Sequence, residues 1–308
     1  MNVIFMGTPE FAVPCLERLI QDGHTVSLVV TQSDKPKGRG QKLTPPPVKV
    51  CALSHDIPVL QPQTLKTEEI QEQLREYHAD VVIVVAYGKI LPKAVLDMPK
   101  FGCINVHASL LPAYRGAAPI QWAVLNGEKQ SGVTTMFMDV GLDTGDMLLK
   151  STCDIDKNMT AGELHDVLSL QGAELLSETL KQLAAGTLQR IPQTSESCYA
   201  PMLSKSLCAL DFSKTATELH NQVRGLNPWP TATATVDGNV LKIHKTRVVK
   251  ETSDYAHNTV VSTVPFLVSC GNNTVLELLE VQAQGGKRMT AAEYFRGHPV
   301  PLFSTFAD

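Results

Sequence analysis

Short runs rich in Val, Ile and Met recur through the first two hundred residues, separated by stretches whose apolar positions fall at helical spacing. The strand-like runs are residues 2–6, 25–30, 81–86, 103–106 and 133–139. Several are apolar at consecutive positions, which suits strands covered on both faces of a parallel sheet. Between them, residues 9–21 follow Thr8, a fair N-cap with proline at the first helical position, and stop before Asp22-Gly23. Residues 67–77 carry Ile70 and Leu74 one turn apart. Residues 160–185 form the longest helical stretch, opened by a Thr160/Glu163 capping box and stopped at Gly186. Strands alternating with helices predict a Rossmann-like, doubly wound α/β domain built on a mostly parallel sheet.

From about Thr187 the pattern changes. Pro192 and Pro201 bracket a polar stretch, 193–199, that reads as a linker. Beyond it come a helix at 215–224 and period-2 strands at 231–236, 240–249, 259–263, 265–270 and 275–281. Turns are expected at Asp237-Gly238 and Gly271-Asn272-Asn273. Short strands in close succession predict a small, OB-like β-barrel. The expected organisation is a first domain over 1–188, a linker over 189–205 and a smaller domain over 206–308.

Composition narrows the class. A chain of 308 residues suits two domains, and 43% hydrophobic with 19% charged side chains argues against disorder. The longest apolar run, 81–86, is far short of a bilayer span. The N-terminus lacks a basic n-region and reads as a strand rather than a signal peptide. Seven scattered cysteines without a Cys-x-x-Cys pair suggest reduced thiols in a cytoplasmic protein, with no disulfide framework and no metal site. The net charge of −4 confines any nucleic-acid contact to a local patch.

Candidate chemistry sits on the first domain. Gly7-Thr8-Pro9-Glu10-Phe11 occupies the place of a dinucleotide phosphate loop but has one glycine where that motif needs three, and no acidic residue ends the second strand. Asn105 and His107, two apart at a strand end, point to one side of the sheet at the end where α/β folds bind ligands. Together they offer an N–H donor for a developing oxyanion and a group that moves protons near neutral pH, or merely a polar strand end. The loop Asp139-Val140-Gly141-Leu142-Asp143-Thr144-Gly145-Asp146 gathers three carboxylates directly after another strand. A solvated turn is one reading of it. A calcium loop fits poorly in spacing, and a carboxylate partner for His107 fits best.

These segments, in this order, resemble the folate-dependent formyltransferases, and most closely those acting on methionyl-tRNA. The resemblance rests on Asn105-x-His107, Ser109-Leu110-Leu111-Pro112, the Gly-Leu-Asp-Thr-Gly-Asp loop with Asp143, Gly7-Thr8-Pro9-Glu10-Phe11 and Gly38-Arg39-Gly40. Ala86-Tyr87-Gly88-x-Ile90-Leu91-Pro92, residues 114–121 and Asn227-Pro228-Trp229-Pro230 extend it over nearly the whole chain. The chain departs from the family at 204–212, where a charged stretch and an Asp-Trp pair are usual.

The resemblance implies transfer of a formyl group from 10-formyltetrahydrofolate to the α-amine of methionyl initiator tRNA, without a metal. It makes Asn105, His107 and Asp143 the catalytic set, and Ser109, Leu110, Leu111 and Pro112 the folate-contacting stretch. The alternative acceptor is another amine, such as an amino-sugar nucleotide. Residues 31–49 hold five cations against Asp34, a net of +4. The resemblance makes this loop a tRNA contact, through Arg39 with Lys37 and Lys42. The second domain, with Lys242, His244, Lys245 and Arg247 on one strand, joins in binding tRNA or presents a solvated face. Nothing demands more than a monomer.

Overall fold

The structure, a computed structural model, describes residues 1–38, 40–194 and 196–307. The chain forms two compact units. The first comprises Met1–Pro119, Ser131–Cys153 and His165–Pro201; the second comprises Ile120–Gln130, Asp154–Leu164 and Met202–Asp308.

Up to Pro201 the elements run β1 (Asn2–Gly7), α1 (Val13–Gln21), β2 (Thr25–Val30), β3 (Lys35–Lys37), β4 (Lys42–Thr44), α2 (Pro47–Ser54), β5 (Val59–Leu60) and α3 (Glu68–Arg75). They continue with β6 (Val81–Val85), α4 (Lys93–Leu96), β7 (Cys103–His107), β8 (Arg115–Gly116), α5 (Pro119–Leu125), β9 (Gln130–Phe137), β10 (Met147–Asp154), α6 (Ala161–Ala185) and β11 (Tyr199–Ala200). Seven strands make one sheet in the order β10-β9-β7-β6-β1-β2-β5. The pairs β5–β2, β2–β1, β1–β6 and β6–β7 are parallel, and β9 runs antiparallel to β7. Every residue of β6 and Val3–Met6 of β1 are buried, as consecutive apolar runs require in a sheet covered on both faces. Strand order reverses between β1 and β6, so a ligand crevice is expected at their carboxyl ends.

The expected doubly wound, mostly parallel sheet is thus present, with local differences. Helix α1 starts at Val13, after a 3₁₀ turn over Glu10–Ala12, and Thr8 does not cap it. The Thr8 hydroxyl instead donates to the Tyr87 carbonyl and accepts from the Gln32 N–H, both at 3.2 Å, tying together the ends of β1, β2 and β6. Strand β10 escaped the sequence reading. After two buried residues, Met147 and Leu148, it alternates half-buried and exposed positions like a sheet-edge strand with one polar face. The predicted capping box holds: Thr160 N–H donates to Glu163 Oε2 at 2.8 Å and Glu163 N–H to Thr160 Oγ1 at 3.2 Å. Helix α6 ends where Gly186 takes a φ of 69°, a left-handed stop that glycine adopts without strain.

Beyond Pro201 lie α7 (Ala216–Gly225), β12 (Ala232–Val236), β13 (Asn239–Val248), β14 (Val260–Thr263), β15 (Phe266–Ser269), β16 (Val275–Ala283), β17 (Met289–Thr290), α8 (Ala291–Gly297) and β18 (Phe306–Ala307). The sheet order is β14-β15-β16-β13-β12-β18, with β17 alongside β16. The outer strands approach each other through an antiparallel bridge between Thr259 and Thr305, with Val260 N–H donating to Ser304 O at 2.8 Å. The sheet therefore curls into the expected barrel-like form around Phe212, Phe266, Phe295 and Phe306. Asp237 and Gly238, both at positive φ, make the two-residue turn from β12 to β13. Among the described residues no helix is long and apolar enough to cross a membrane.

Candidate active site

Alternation along β7 sets the geometry. Val106 faces α6, where a side chain on Gly172 would meet it at 3.0 Å. Cys103, on the opposite face, packs against α4 with its thiol 3.5 Å from the Val95 carbonyl. Asn105 and His107 share the Cys103 face. Asn105 lies in register between Val84 of β6 and Met136 of β9 and is half-buried. Among the described residues its side-chain amide has no hydrogen-bond partner within the protein, which leaves its N–H groups for a ligand.

His107 is buried, 6% exposed, and its Nε2 lies 2.9 Å from the Tyr114 carbonyl. A carbonyl only accepts, so Nε2 carries the proton and this contact assigns the tautomer. Nδ1 faces Asp143 Oδ2 at 3.8 Å, too far for a hydrogen bond. Tyr114 thus sets the tautomer, and the carboxylate expected beside His107 supplies negative charge rather than a hydrogen bond. That carboxylate is held in turn by the Gly116 N–H at 2.8 Å.

The loop 139–146 is folded tightly. Asp143 itself sits at a φ of 52°, and a side chain on Gly145 would run into the Phe137 carbonyl. Asp146 O accepts from Phe137 N–H at 2.9 Å, and Asp146 pairs with Arg190 at 2.9 Å. Gln193 closes the loop from outside. Its Nε2 donates to the carbonyls of Asp143 and Gly145, each at 2.8 Å, while its Oε1 accepts from Arg115 Nη2 at 2.7 Å and Nε at 3.0 Å.

The stretch expected to contact folate is divided in role. Ser109 Oγ donates to Ala113 O at 2.6 Å and Ser109 O accepts from Thr134 Oγ1 at 2.7 Å. Leu111 is fully buried with Met136 and Met147. Leu110 and Pro112 are half-buried and retain free surface. In the core packed with Met6, Leu28 and Leu91, the Tyr87 hydroxyl has no partner among the described residues, and burial raises its pKa to about 12.

A cavity of about 560 Å³ opens beside β1 and the β3–β4 hairpin, lined by Thr8, Pro9, Val13, Lys35, Pro46 and Cys51 among others. The hairpin carries Lys42, which is exposed. Lys49 is neutralised by Asp34 at 2.9 Å, so among the described side chains of this loop the cations without an acidic partner are Lys35 and Lys42, on the hairpin. Arg39 and the side chain of Lys37 lie outside the described residues. Among the described residues no cluster of three or more His, Cys, Asp or Glu is placed to hold a metal ion.

Asn105, His107 and Asp143 therefore come together, while Tyr114, Arg115, Gly116 and Gln193 join them without having been assigned roles from sequence. Residues 114–116 lie within the segment 114–121 that carries part of the family resemblance. Gln193 had no signal, since a polar residue in a linker resembles every other.

Residues 1–180 match the formyl transferase family and residues 202–299 match the formyl transferase C-terminal domain. A methionyl-tRNA formyltransferase of Acetivibrio thermocellus is 51% identical over 307 residues, covering 97% of each chain. One from Clostridium novyi is 50% identical over 99% of each. A sugar 3N-formyl transferase, solved in the presence of dTDP and 5-N-formyl-THF, shares the fold with a TM-score of 0.69, at 21% identity over 93% of this chain and 99% of that one. With Asn105, His107 and Asp143 assembled and relatives matched almost end to end, the chain belongs to the formyl transferase family, among its methionyl-tRNA formyltransferases.

Proposed function

We propose that this chain transfers a formyl group from 10-formyltetrahydrofolate to the α-amine of methionyl initiator tRNA, with Asn105, His107 and Asp143 at the reacting atoms. The observation that carries the assignment of residues is the unpartnered Asn105 amide standing on the same strand face as a histidine with one tethered and one unbonded ring nitrogen. The folate fits this region. Leu110 and Pro112 offer apolar surface of the kind a flat pterin ring packs against.

When bound, the folate supplies the formyl group as an amide-like carbonyl on N10. Asn105 donates an N–H to that carbonyl oxygen as negative charge gathers on it during attack by the amine. His107, its Nε2 tied to Tyr114, presents Nδ1 to accept the proton the amine loses and return it to the departing nitrogen. Asp143 presents its negative charge to the ring at 3.8 Å from Nδ1 without bonding to it. Lys35 and Lys42, with Lys37 and Arg39 by sequence, attract the acceptor end of the tRNA.

The test is formylation of charged initiator tRNA with 10-formyltetrahydrofolate as donor. Asn105→Ala should lower kcat about 10²–10³-fold and His107→Ala about 10²–10⁴-fold, with folate affinity retained in both. A variant with near-normal turnover removes that residue from the mechanism. Transfer to an amino-sugar nucleotide in place of tRNA overturns the acceptor.

A further inference from the structure

Three consecutive residues at strand β8 hold His107, Asp143 and the loop that carries Asp143. Tyr114 holds His107 through its carbonyl, Arg115 holds Gln193 through its guanidinium, and Gly116 holds Asp143 through its N–H. That strand is itself fastened to the segment that follows Pro192. Strands β8 and β11 pair in parallel, Arg115↔Tyr199 and Gly116↔Ala200. Arg115 N–H donates to Cys198 O at 3.0 Å, Tyr114 N–H to the Cys198 thiol at 3.2 Å, and Ala117 N–H to Ala200 O at 2.9 Å.

The approach is close enough to exclude any side chain at Gly116, whose φ is 119° and whose added Cβ would stand 2.6 Å from Ala200 O. Gln193 then closes the circuit. One face of its amide is fixed by two N–H groups of Arg115, and the other face donates to two carbonyls of the loop that carries Asp143. A glutamine in a solvated linker would make none of these four contacts.

We propose that Gln193, with the strand pairing at 198–200, forms a positioning strap for the active site, Gln193 being the positioning residue that fixes Asp143 relative to His107. Asp143 sits at a strained positive φ and misses Nδ1 by less than 1 Å of the hydrogen-bonding range. Its electrostatic effect on the ring therefore depends on backbone placement, which Gln193 supplies at the Asp143 carbonyl. The inference rests on the proposed transfer reaction for its kinetic readout, and on the loop geometry alone for its spectroscopic one.

Two substitutions separate the possibilities. Gln193→Ala removes all four contacts. Gln193→Glu keeps the acceptor for Arg115 but replaces the amide N–H groups with an oxygen that faces two carbonyls. Both variants should lose at least about 10-fold in kcat, since small misplacement of a reacting constellation costs that much or more. KM for folate and tRNA should stay within about 2-fold, because no substrate contact is removed. The nitrogen-15 signals of the His107 ring, recorded at one pH without substrates, should move in both variants. A Gln193→Glu enzyme with wild-type kcat, a loss confined to KM, or unmoved His107 signals each overturn the proposal. If the wild-type enzyme forms no formylmethionyl-tRNA, the proposed function fails on its own. The His107 signals then decide the strap by themselves.

Discussion

At Gly116, conformation and chemistry are inseparable. The residue donates its N–H to Asp143 at 2.8 Å from a backbone that only glycine adopts easily, and a methyl group there would press on both Ala200 O and the Tyr199 ring. Gly116→Ala is expected to cost about 1–3 kcal/mol in stability and to lower kcat as well, because relief of the clash parts β8 from β11. Thermal unfolding beside steady-state kinetics checks this. Full stability with full turnover would mean that the strand pair yields without consequence to Asp143. Asn105 and His107 were legible from sequence because alternation puts residues two apart on one face. The Tyr114 carbonyl was not, since backbone groups carry no side-chain identity to read.

Among the elements, the β3–β4 hairpin has the clearest separate role. It borders the cavity beside β1 and displays Lys42 to solvent, while Lys49 is already spent on Asp34. If Lys42 contacts a phosphate, Lys42→Ala should reduce the slope of log KM for tRNA against log salt by roughly 0.7–0.9 and leave folate affinity unchanged. An unaltered slope would place the contact elsewhere. The hairpin itself was read only as a basic loop, because strands of three residues with proline lack a period to detect. Long elements fared better: β6 with its five buried residues and α6 with its capping box stand where the pattern put them. Helix α1 began late because Thr8 is engaged with Tyr87 and Gln32, a tertiary demand that local propensity does not contain.

Over the whole molecule, titration bounds stability on both sides. Burial lowers the pKa of His24, His220 and His244 from 6.5, and His220 is locked between Thr246 Oγ1 and the Lys157 carbonyl at 2.9 Å each. The unfolded chain takes up protons at these rings before the folded one does, so stability falls as pH drops below about 6.5. Burial also pushes Cys15, Cys103 and Cys270 from 9.0 to about 12 and Cys51 to about 11. Between these values the unfolded chain has released protons that the folded chain keeps, so stability falls again above about pH 9. Tm measured from pH 5 to pH 11 should therefore show a plateau between those limits. A Tm that climbs on acidification from 7 to 5 would contradict the histidine assignment.

The second unit is assembled from three separate stretches of chain, and the backbone crosses from one unit to the other five times. Its helix α7 leans on the earlier stretches. His220 and Arg224 bond to the carbonyls of Lys157 and Met159, Gly162 N–H donates to Asn227 O at 3.0 Å, and Gly225 abuts Leu125. A protease cut after Pro201 would consequently nick the enzyme without setting free an intact C-terminal module. Nor is that module one that gene shuffling can pass on alone, because part of its foundation is encoded inside the catalytic half.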